Sequence, residues 1–218
     1  MPSLFVISGP SAVGKDVLIN ELMDTDKNIV RGRKITTRKP RPNERKTGSY
    51  LYLTHEQFDK RLSADELFHH YVKNEIWYAI DKDFIIDEVN SEYDVFLVYS
   101  KYDKVSELKK EMTKEGVNTK NILILSTLED LESRIRGRYQ HNPEEITRRV
   151  ETMRKDLRYL LSQKTLTDYD FILQNPNSQE GINPLIKKVK EILESERTNL
   201  ITNEGILNQI LGTYNQQS

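Results

Sequence analysis

The stretch LFVISGPSAVGKD, residues 4–16, decides the fold. Leu4 to Ser8 is a continuous apolar run, which is typical of a strand buried on both faces in a parallel sheet. Gly9 to Gly14 interrupts this run, and from Lys15 onward the apolar residues recur at helical spacing. A strand, a glycine loop and a helix in this order predict half of a β-α-β unit.

The loop between strand and helix has the G-x-x-x-x-G-K pattern of a phosphate-binding loop. We expect its backbone N–H groups to cradle phosphate oxygens, with the positive end of the following helix dipole behind them. Lys15 is predicted to reach the terminal phosphates as a point charge, so the pattern predicts ATP binding. The predicted ATP-binding residues of this loop are Gly9, Pro10, Ser11, Ala12, Val13, Gly14, Lys15 and Asp16.

The residue after the lysine departs from the usual Ser or Thr, whose hydroxyl binds Mg²⁺ in such loops. Here it is Asp16, and a carboxylate is a hard oxygen ligand that suits Mg²⁺. We therefore expect Asp16 to hold Mg²⁺ directly or through water. The alternative is that Asp16 only caps the helix.

Composition excludes several classes of function. The chain has 218 residues and a formal net charge of -1, so its overall charge gives no case for nucleic-acid or membrane binding. The absence of cysteine excludes disulfides, thiolate zinc sites and a cysteine nucleophile. No apolar stretch reaches the roughly 18 residues that span a bilayer, and Met1 to Ser8 lacks a signal-peptide pattern. We expect a cytoplasmic protein with a small-molecule partner, and the oligomeric state stays open.

The rest of the chain alternates buried-strand and amphipathic-helix patterns, which predicts an α/β fold with a mostly parallel sheet. Residues 29–37 form one extended candidate, and residues 67–80 have no clear pattern. Thr54 begins a capping box, and Asn142 begins a helix with proline and two acids in its first turn. Residues 195–218 are expected to be a frayed tail with a weak helix, or else a packing or self-association helix.

A second candidate site is the basic turn around Pro40. Arg38 and Arg41 flank the turn three positions apart, and two planar guanidiniums can clamp a phosphate dianion. Taken alone, such a turn is also typical of a solvated surface.

With these motifs in place, the chain resembles the guanylate kinase family. The resemblance rests on GPSAVGK, on TTRKPRPNE followed by Tyr50, on RIRGR followed by RRV, and on YDFILQN, all in the family's order. It covers roughly residues 3–194 and implies a P-loop kinase core with a small acceptor-binding subdomain and a helical lid. The implied boundaries are core 1–32, 91–125 and 165–194, acceptor subdomain 33–90, and lid 126–164.

The resemblance also implies roles for individual residues. Arg138 and Arg149 correspond to lid arginines that close on the transferring phosphate, together with Lys15 and Arg38, and Asn175 corresponds to the adenine contact. It further implies ATP as co-substrate and Mg²⁺. The implied acceptor ligands are Arg38, Arg41, Glu44, Tyr50 and Tyr78.

Four positions depart from the family's guanine-reading pattern. They hold Lys34, His69 or His70, Ile80 and Ser100. Lys15-Asp16 and the strand ending at Ser100-Lys101 resemble ribose 1,5-bisphosphate phosphokinases, whose acceptor has no base. We expect an ATP-dependent phosphotransferase acting on a nucleoside monophosphate of the GMP type. The alternatives are a ribose 1,5-bisphosphate phosphokinase and a non-catalytic binding module, and the intact loop favours a kinase over the latter.

Overall fold

The computed structural model describes residues 2–40, 48–73, 75–162, 164–177 and 180–195, and these residues form strands and helices of a mixed α/β fold. The strands are β1 (Leu4–Ser8), β2 (Ile29–Arg31), β3 (Lys34–Thr36), β4 (Tyr50–Tyr52), β5 (Leu67–Lys73), β6 (Ile76–Asp81), β7 (Asp94–Val98), β8 (Thr119–Leu125) and β9 (Phe171–Gln174). The helices are α1 (Lys15–Thr25), α2 (His55–Ser63), α3 (Lys82–Asn90), α4 (Val105–Lys114), α5 (Leu128–Arg138), α6 (Pro143–Ser162) and α7 (Asn183–Ser195).

A five-stranded sheet carries the core of the α/β fold. Its strand order is β2-β7-β1-β8-β9, and the β2–β7 and β8–β9 pairs are parallel. Every residue of β1 is buried, as the apolar run predicted. The predicted α/β class with a mostly parallel sheet is therefore confirmed.

A second sheet of four strands has the order β4-β3-β6-β5. One face packs on α2, where Ile35, Phe58, Leu67 and Ala79 form a buried cluster. The capping box at Thr54 begins α2 as predicted, because its hydroxyl accepts a hydrogen bond from the backbone N–H of Gln57.

The extended candidate at residues 29–37 consists of two strands that belong to different sheets. β2 pairs with β7, whereas β3 pairs with β4 and β6. Gly32 lies at the break, and a Cβ there would come within 2.9 Å of the Leu97 Cβ. The close approach of the two backbones at this point requires glycine.

Asp81 precedes α3 but does not cap it with its side chain. Its carboxylate is fully buried and accepts hydrogen bonds from Arg33 at 2.7 Å and Arg61 at 2.8 Å. A buried charge needs such partners, so ion pairing takes precedence over capping at this position.

Contacts within the chain define two compact units. The first comprises the described residues within 1–5, 26–97 and 106–119, and the second those within 6–25, 98–105 and 120–195. In the described ranges, no helix is both long and apolar enough to cross a bilayer. Of the predicted tail at residues 195–218, Ser195 is the last residue of α7, and the rest lies outside the described residues.

Candidate functional site

The phosphate loop joins β1 to α1 and has an unusual backbone. Gly9, Ala12 and Gly14 have positive φ angles of 144°, 65° and 100°. The left-handed conformation strains a residue with a side chain, and such strain concentrates at functional sites. A loop that mixes left-handed and right-handed residues can turn its N–H groups toward one side, which suits an anion.

The glycines of the loop lie against neighbouring backbone and side chains. A Cβ at Gly9 would collide with the carbonyl oxygen of Ile124 in β8. A Cβ at Gly14 would come within 2.7 Å of the side-chain nitrogen of Asn175. Both glycines of the motif are therefore required by close packing as well as by backbone conformation.

Lys15 folds back onto the loop that precedes it. Its Nζ donates hydrogen bonds to the backbone carbonyls of Gly9 at 2.7 Å and Pro10 at 2.9 Å. The ammonium group therefore lies at the loop that is expected to hold the phosphates, where its charge can interact with them.

Asp16 is exposed in the first turn of α1, directly after Lys15. An acid in this turn interacts favourably with the helix dipole. Its carboxylate is also the type of oxygen ligand that Mg²⁺ prefers, so its chemistry fits the predicted metal role.

Asn175 follows β9 and is buried. Its side-chain Nδ2 donates a hydrogen bond to the backbone carbonyl of Val13 at 2.8 Å, so it supports the phosphate loop directly. The backbone carbonyl of Asn175 accepts hydrogen bonds from Ser126 Oγ at 2.7 Å and Arg134 Nη2 at 3.1 Å.

Arg134 was not among the predicted site residues. Burial lowers the pKa of its guanidinium, and the nearby carboxylate of Asp130 opposes that shift. The RIRGR segment indicated that arginines lie at the site, but helical spacing alone does not show which of them points inward.

Tyr102 contacts the phosphate loop, Asp156 contacts Tyr102, and neither residue was predicted. Tyr102 Oη donates a hydrogen bond to the Gly9 carbonyl at 3.0 Å, and it lies 3.3 Å from Asp156 Oδ2 on α6. Burial raises the pKa of both groups. For Asp156, the Tyr102 hydrogen bond and the positive charge of Lys15 oppose that increase in pKa.

Helices α5 and α6 contain the two predicted lid arginines. Arg154 on α6 pairs with Glu132 on α5, which ties the helices together. Arg138 is exposed at the end of α5.

Arg149 is half-buried on α6 and donates a hydrogen bond to Glu145 at 2.8 Å. Its guanidinium carbon lies 5.5 Å from the centre of the Tyr139 ring. Hydrogen bonds from Arg148 and Arg149 lower the pKa of Glu145 to about 2.

The second unit thus brings together the loop, Lys15 and Asn175, with Tyr102 and Asp156 as additional contacts.

The first unit presents a face of tyrosines and cations on the four-stranded sheet. Tyr50 and Tyr52 lie on β4 with ring centres 6.1 Å apart. The Arg38 guanidinium carbon lies 5.7 Å from the Tyr50 ring centre and 5.9 Å from that of Tyr52. Arg38 and Tyr50, both predicted acceptor ligands, are therefore neighbours, and Tyr52 joins them.

Tyr78 lies on β6 of the same sheet. Its ring stacks on Tyr71 with centres 5.1 Å apart, and Tyr78 is in register with Thr36 of β3. Burial, with smaller contributions from Tyr50 and Tyr78, raises the pKa of Tyr71 to about 12. These contacts place Tyr71, which was not predicted, among the candidate acceptor residues.

Some departures from the guanine-reading pattern lie on this sheet too. Lys34 is in register with both Tyr50 and Ile80, and its Nζ lies 4.7 Å from the Tyr50 ring centre. His69 lies at a bulge with a φ of 45°, and its Nε2 is 3.0 Å from Glu111 Oε2. His70 is exposed. Predicted residues Arg41 and Glu44 lie outside the described residues.

Comparison with known proteins finds matches to one family over most of the chain. The family model for guanylate kinase matches residues 1–196. A guanylate kinase of Wolbachia pipientis wMel is 28% identical over 194 residues, which cover 89% of this chain and 90% of that protein. A guanylate kinase of Caldanaerobacter subterraneus subsp. tengcongensis is 27% identical over 205 residues, which cover 93% and 92% of the two chains.

Two solved structures share the fold. The crystal structure of guanylate kinase from Anaplasma phagocytophilum has a TM-score of 0.61 at 20% identity, covering 91% of this chain and 87% of that chain. The tunicamycin resistance protein of Deinococcus radiodurans has a TM-score of 0.52 at 11% identity, covering 88% and 96%. At these identities the likeness concerns the fold alone.

Proposed function

This chain belongs to the guanylate kinase family, and we propose that it transfers the γ-phosphate of ATP to GMP, yielding ADP and GDP. The chain is thus an ATP-dependent kinase that acts on a small phosphate-bearing acceptor. The identity of the acceptor and the roles of individual residues are the proposed part.

The phosphate loop is the observation that carries this proposal. Three of its residues have positive φ angles, which suits an anion site, and Lys15 Nζ lies within 2.9 Å of two loop carbonyls. Phosphoryl transfer depends on positioning and charge neutralisation more than on acid–base chemistry. A fixed anion site with an ammonium group beside it supplies both.

In the reaction, a phosphate oxygen of the acceptor forms a bond to the γ-phosphorus, while the bond from that phosphorus to the β,γ-bridging oxygen breaks. We assign Lys15 the role of exchanging its carbonyl partners for phosphate oxygens. Arg149 then exchanges Glu145 for the transferring group, and Arg138 approaches it from the end of α5. These cations compensate the negative charge of the transition state.

On the acceptor side, we assign phosphate binding to Arg38, Arg41, Tyr50 and Tyr78, and we assign Glu44 to acceptor binding as the acid of the same turn. The planar guanidinium of Arg38 lies beside the rings of two tyrosines, and a guanidinium is a charged, bidentate donor that suits a phosphate dianion. For the core, the acceptor subdomain and the lid, we propose the boundaries that the family resemblance implies.

Mg²⁺ is the proposed metal, and Asp16 would hold it through its exposed carboxylate. When bound with ATP, Mg²⁺ neutralises phosphate charge. The proposed kinase needs ATP as co-substrate, and this need also supports the cytoplasmic location expected from the sequence.

A panel of acceptors tests the proposal. The purified chain is incubated with Mg·ATP and, separately, with GMP, dGMP, AMP, CMP, UMP or ribose 1,5-bisphosphate, and products are followed by phosphorus NMR. We expect the fastest transfer to GMP. Transfer to the sugar bisphosphate alone would contradict the proposed acceptor but keep the kinase class. If the chain binds ATP but transfers phosphate to none of the six acceptors, the proposed GMP kinase activity is refuted.

A further inference from the structure

We infer that Tyr102 and Asp156 are positioning residues that fix helix α6 on the phosphate loop and thereby place Arg149. The inference rests on the proposed function, because Arg149 is assigned there to the transferring phosphate. Neither residue is among the predicted site residues, and their contacts are with the Gly9 carbonyl, each other and Tyr159.

The contact begins at the Gly9 carbonyl. This oxygen accepts hydrogen bonds from Lys15 Nζ at 2.7 Å and from Tyr102 Oη at 3.0 Å. When Lys15 turns to the phosphates, Tyr102 still holds the carbonyl. Tyr102 is 6% exposed, and a buried hydroxyl strongly prefers to keep a hydrogen bond. Tyr102 therefore preserves the orientation of the Gly9 peptide during the reaction.

The same hydroxyl extends the contact to α6. Asp156 Oδ2 lies 3.3 Å from Tyr102 Oη, and the ring of Tyr159, three positions further along α6, stacks on Tyr102 with centres 6.2 Å apart. Residues three apart lie on the same face of a helix. One face of α6 thus rests on Tyr102 through both a polar and an aromatic contact.

Arg149 lies on that face, about two turns or roughly 10 Å toward the N-terminal end of α6. A rigid helix held at Tyr102 keeps Arg149 in a defined place, whereas loss of the contact lets the helix shift. A displacement of about 1 Å at a reacting group can cost on the order of 10²-fold in rate. The contact should therefore affect kcat more than ATP affinity.

The chemistry of the pair suggests a conservative variant. Tyr102 has a single hydroxyl hydrogen, and two acceptors share it: the Gly9 carbonyl at 3.0 Å and Asp156 Oδ2 at 3.3 Å. The side-chain oxygen of an amide at position 156 can accept the same hydrogen bond. Asp156→Asn should therefore retain positioning, and Asp156→Ala should lose it.

The test compares Tyr102→Phe, Asp156→Ala and Asp156→Asn with wild type. Matched controls are Tyr169→Phe, which alters another buried tyrosine, and Glu151→Ala, which removes an exposed acid of α6. We expect Tyr102→Phe and Asp156→Ala to lower kcat for GDP formation by roughly 10- to 100-fold. The Kd of Mg·ATP should change less than about threefold. Asp156→Asn and both controls should stay within about threefold of wild type in kcat.

Two further measurements separate positioning from general destabilisation. In an Arg149→Ala background, Tyr102→Phe should cost less than about threefold in kcat, because residues that act as a unit are not additive. Hydrogen exchange of residues 143–162 should be faster in Tyr102→Phe than in wild type, and this readout does not need phosphoryl transfer.

The inference would be overturned by wild-type kcat in Tyr102→Phe and Asp156→Ala, by a fully additive loss in the Arg149→Ala background, or by a loss confined to the Kd of Mg·ATP. If wild type transfers no phosphate to GMP, the proposed function fails, while hydrogen exchange alone decides whether the contact anchors α6. Unchanged exchange in Tyr102→Phe would then refute the anchor.

Discussion

Asn175 Nδ2 donates a hydrogen bond to the backbone carbonyl of Val13 at 2.8 Å, across 162 positions of sequence. The bond joins the end of β9 to the phosphate loop, and both groups are buried. Asn175 therefore shapes the loop from behind, in addition to the adenine contact proposed from the family resemblance.

Asn175→Ala should lower both stability and ATP affinity. The substitution leaves the Val13 carbonyl buried without its donor, which costs about 1–3 kcal/mol in the free energy of unfolding. Urea unfolding and calorimetric titration with Mg·ATP measure the two effects, with the exposed Asn177→Ala as control. An unchanged Kd for ATP would show that the loop does not depend on this bond.

Lys15→Met should remove phosphoryl transfer without unfolding the protein. We expect kcat to fall by roughly 10²- to 10³-fold, as when other fixed charge-stabilising donors are deleted. Lys187→Met, at an exposed position of α7, is the matched control. Initial rates of ADP formation with GMP measure the effect, and a loss below fivefold would argue against a role for Lys15 at the phosphates.

Asp16→Ala should raise the Mg²⁺ concentration needed for half-maximal activity, because it removes a hard oxygen ligand near the phosphates. Asp24→Ala, on the same helix and also exposed, controls for the change in net charge. Activity is measured across a Mg²⁺ titration at fixed ATP. Superimposable titrations for Asp16→Ala and wild type would exclude the metal role.

Arg38→Ala should weaken acceptor binding selectively. Hydrogen bonds to charged groups contribute about 1.5–3 kcal/mol, so we expect KM for GMP to rise by roughly 10- to 100-fold while KM for ATP stays nearly constant. The neighbouring exposed Lys39→Ala serves as control. Equal increases in both KM values would point to a change in folding rather than in the acceptor site.

The pH dependence of stability should depend on Asp156. Burial raises the pKa of its carboxyl above the unfolded value, so the charged form is disfavoured in the folded protein. The wild type therefore loses stability, relative to a neutral side chain, as pH rises through the folded pKa. Asp156→Asn should be more stable than wild type at pH 7, and the difference should vanish below about pH 4. A constant difference across this range would contradict the burial argument.

Local patterns predicted much of this fold. The apolar run at Leu4–Ser8, the capping box at Thr54 and the cap at Asn142 all begin or end elements where expected, because neighbouring residues decide them. The break at Gly32 depends instead on Leu97, far along the chain. The bulge at His69 likewise depends on pairing between β5 and β6.

The residues of the candidate site also differ in how far the sequence could predict them. The loop and Lys15 follow from a contiguous motif. Tyr102 contacts Gly9 from 93 positions away, and Arg134 contacts the Asn175 backbone from 41 positions away. Such contacts arise only when distant segments pack, so neither residue stands out in the sequence.

The most direct test of the central claim is the initial rate of GDP formation from Mg·ATP and GMP, measured for wild type and Lys15→Met side by side. The account predicts equal amounts of GDP and ADP from wild type, with a rate at least roughly 10²-fold above that of Lys15→Met. No GDP from a wild-type protein that binds Mg·ATP would contradict it.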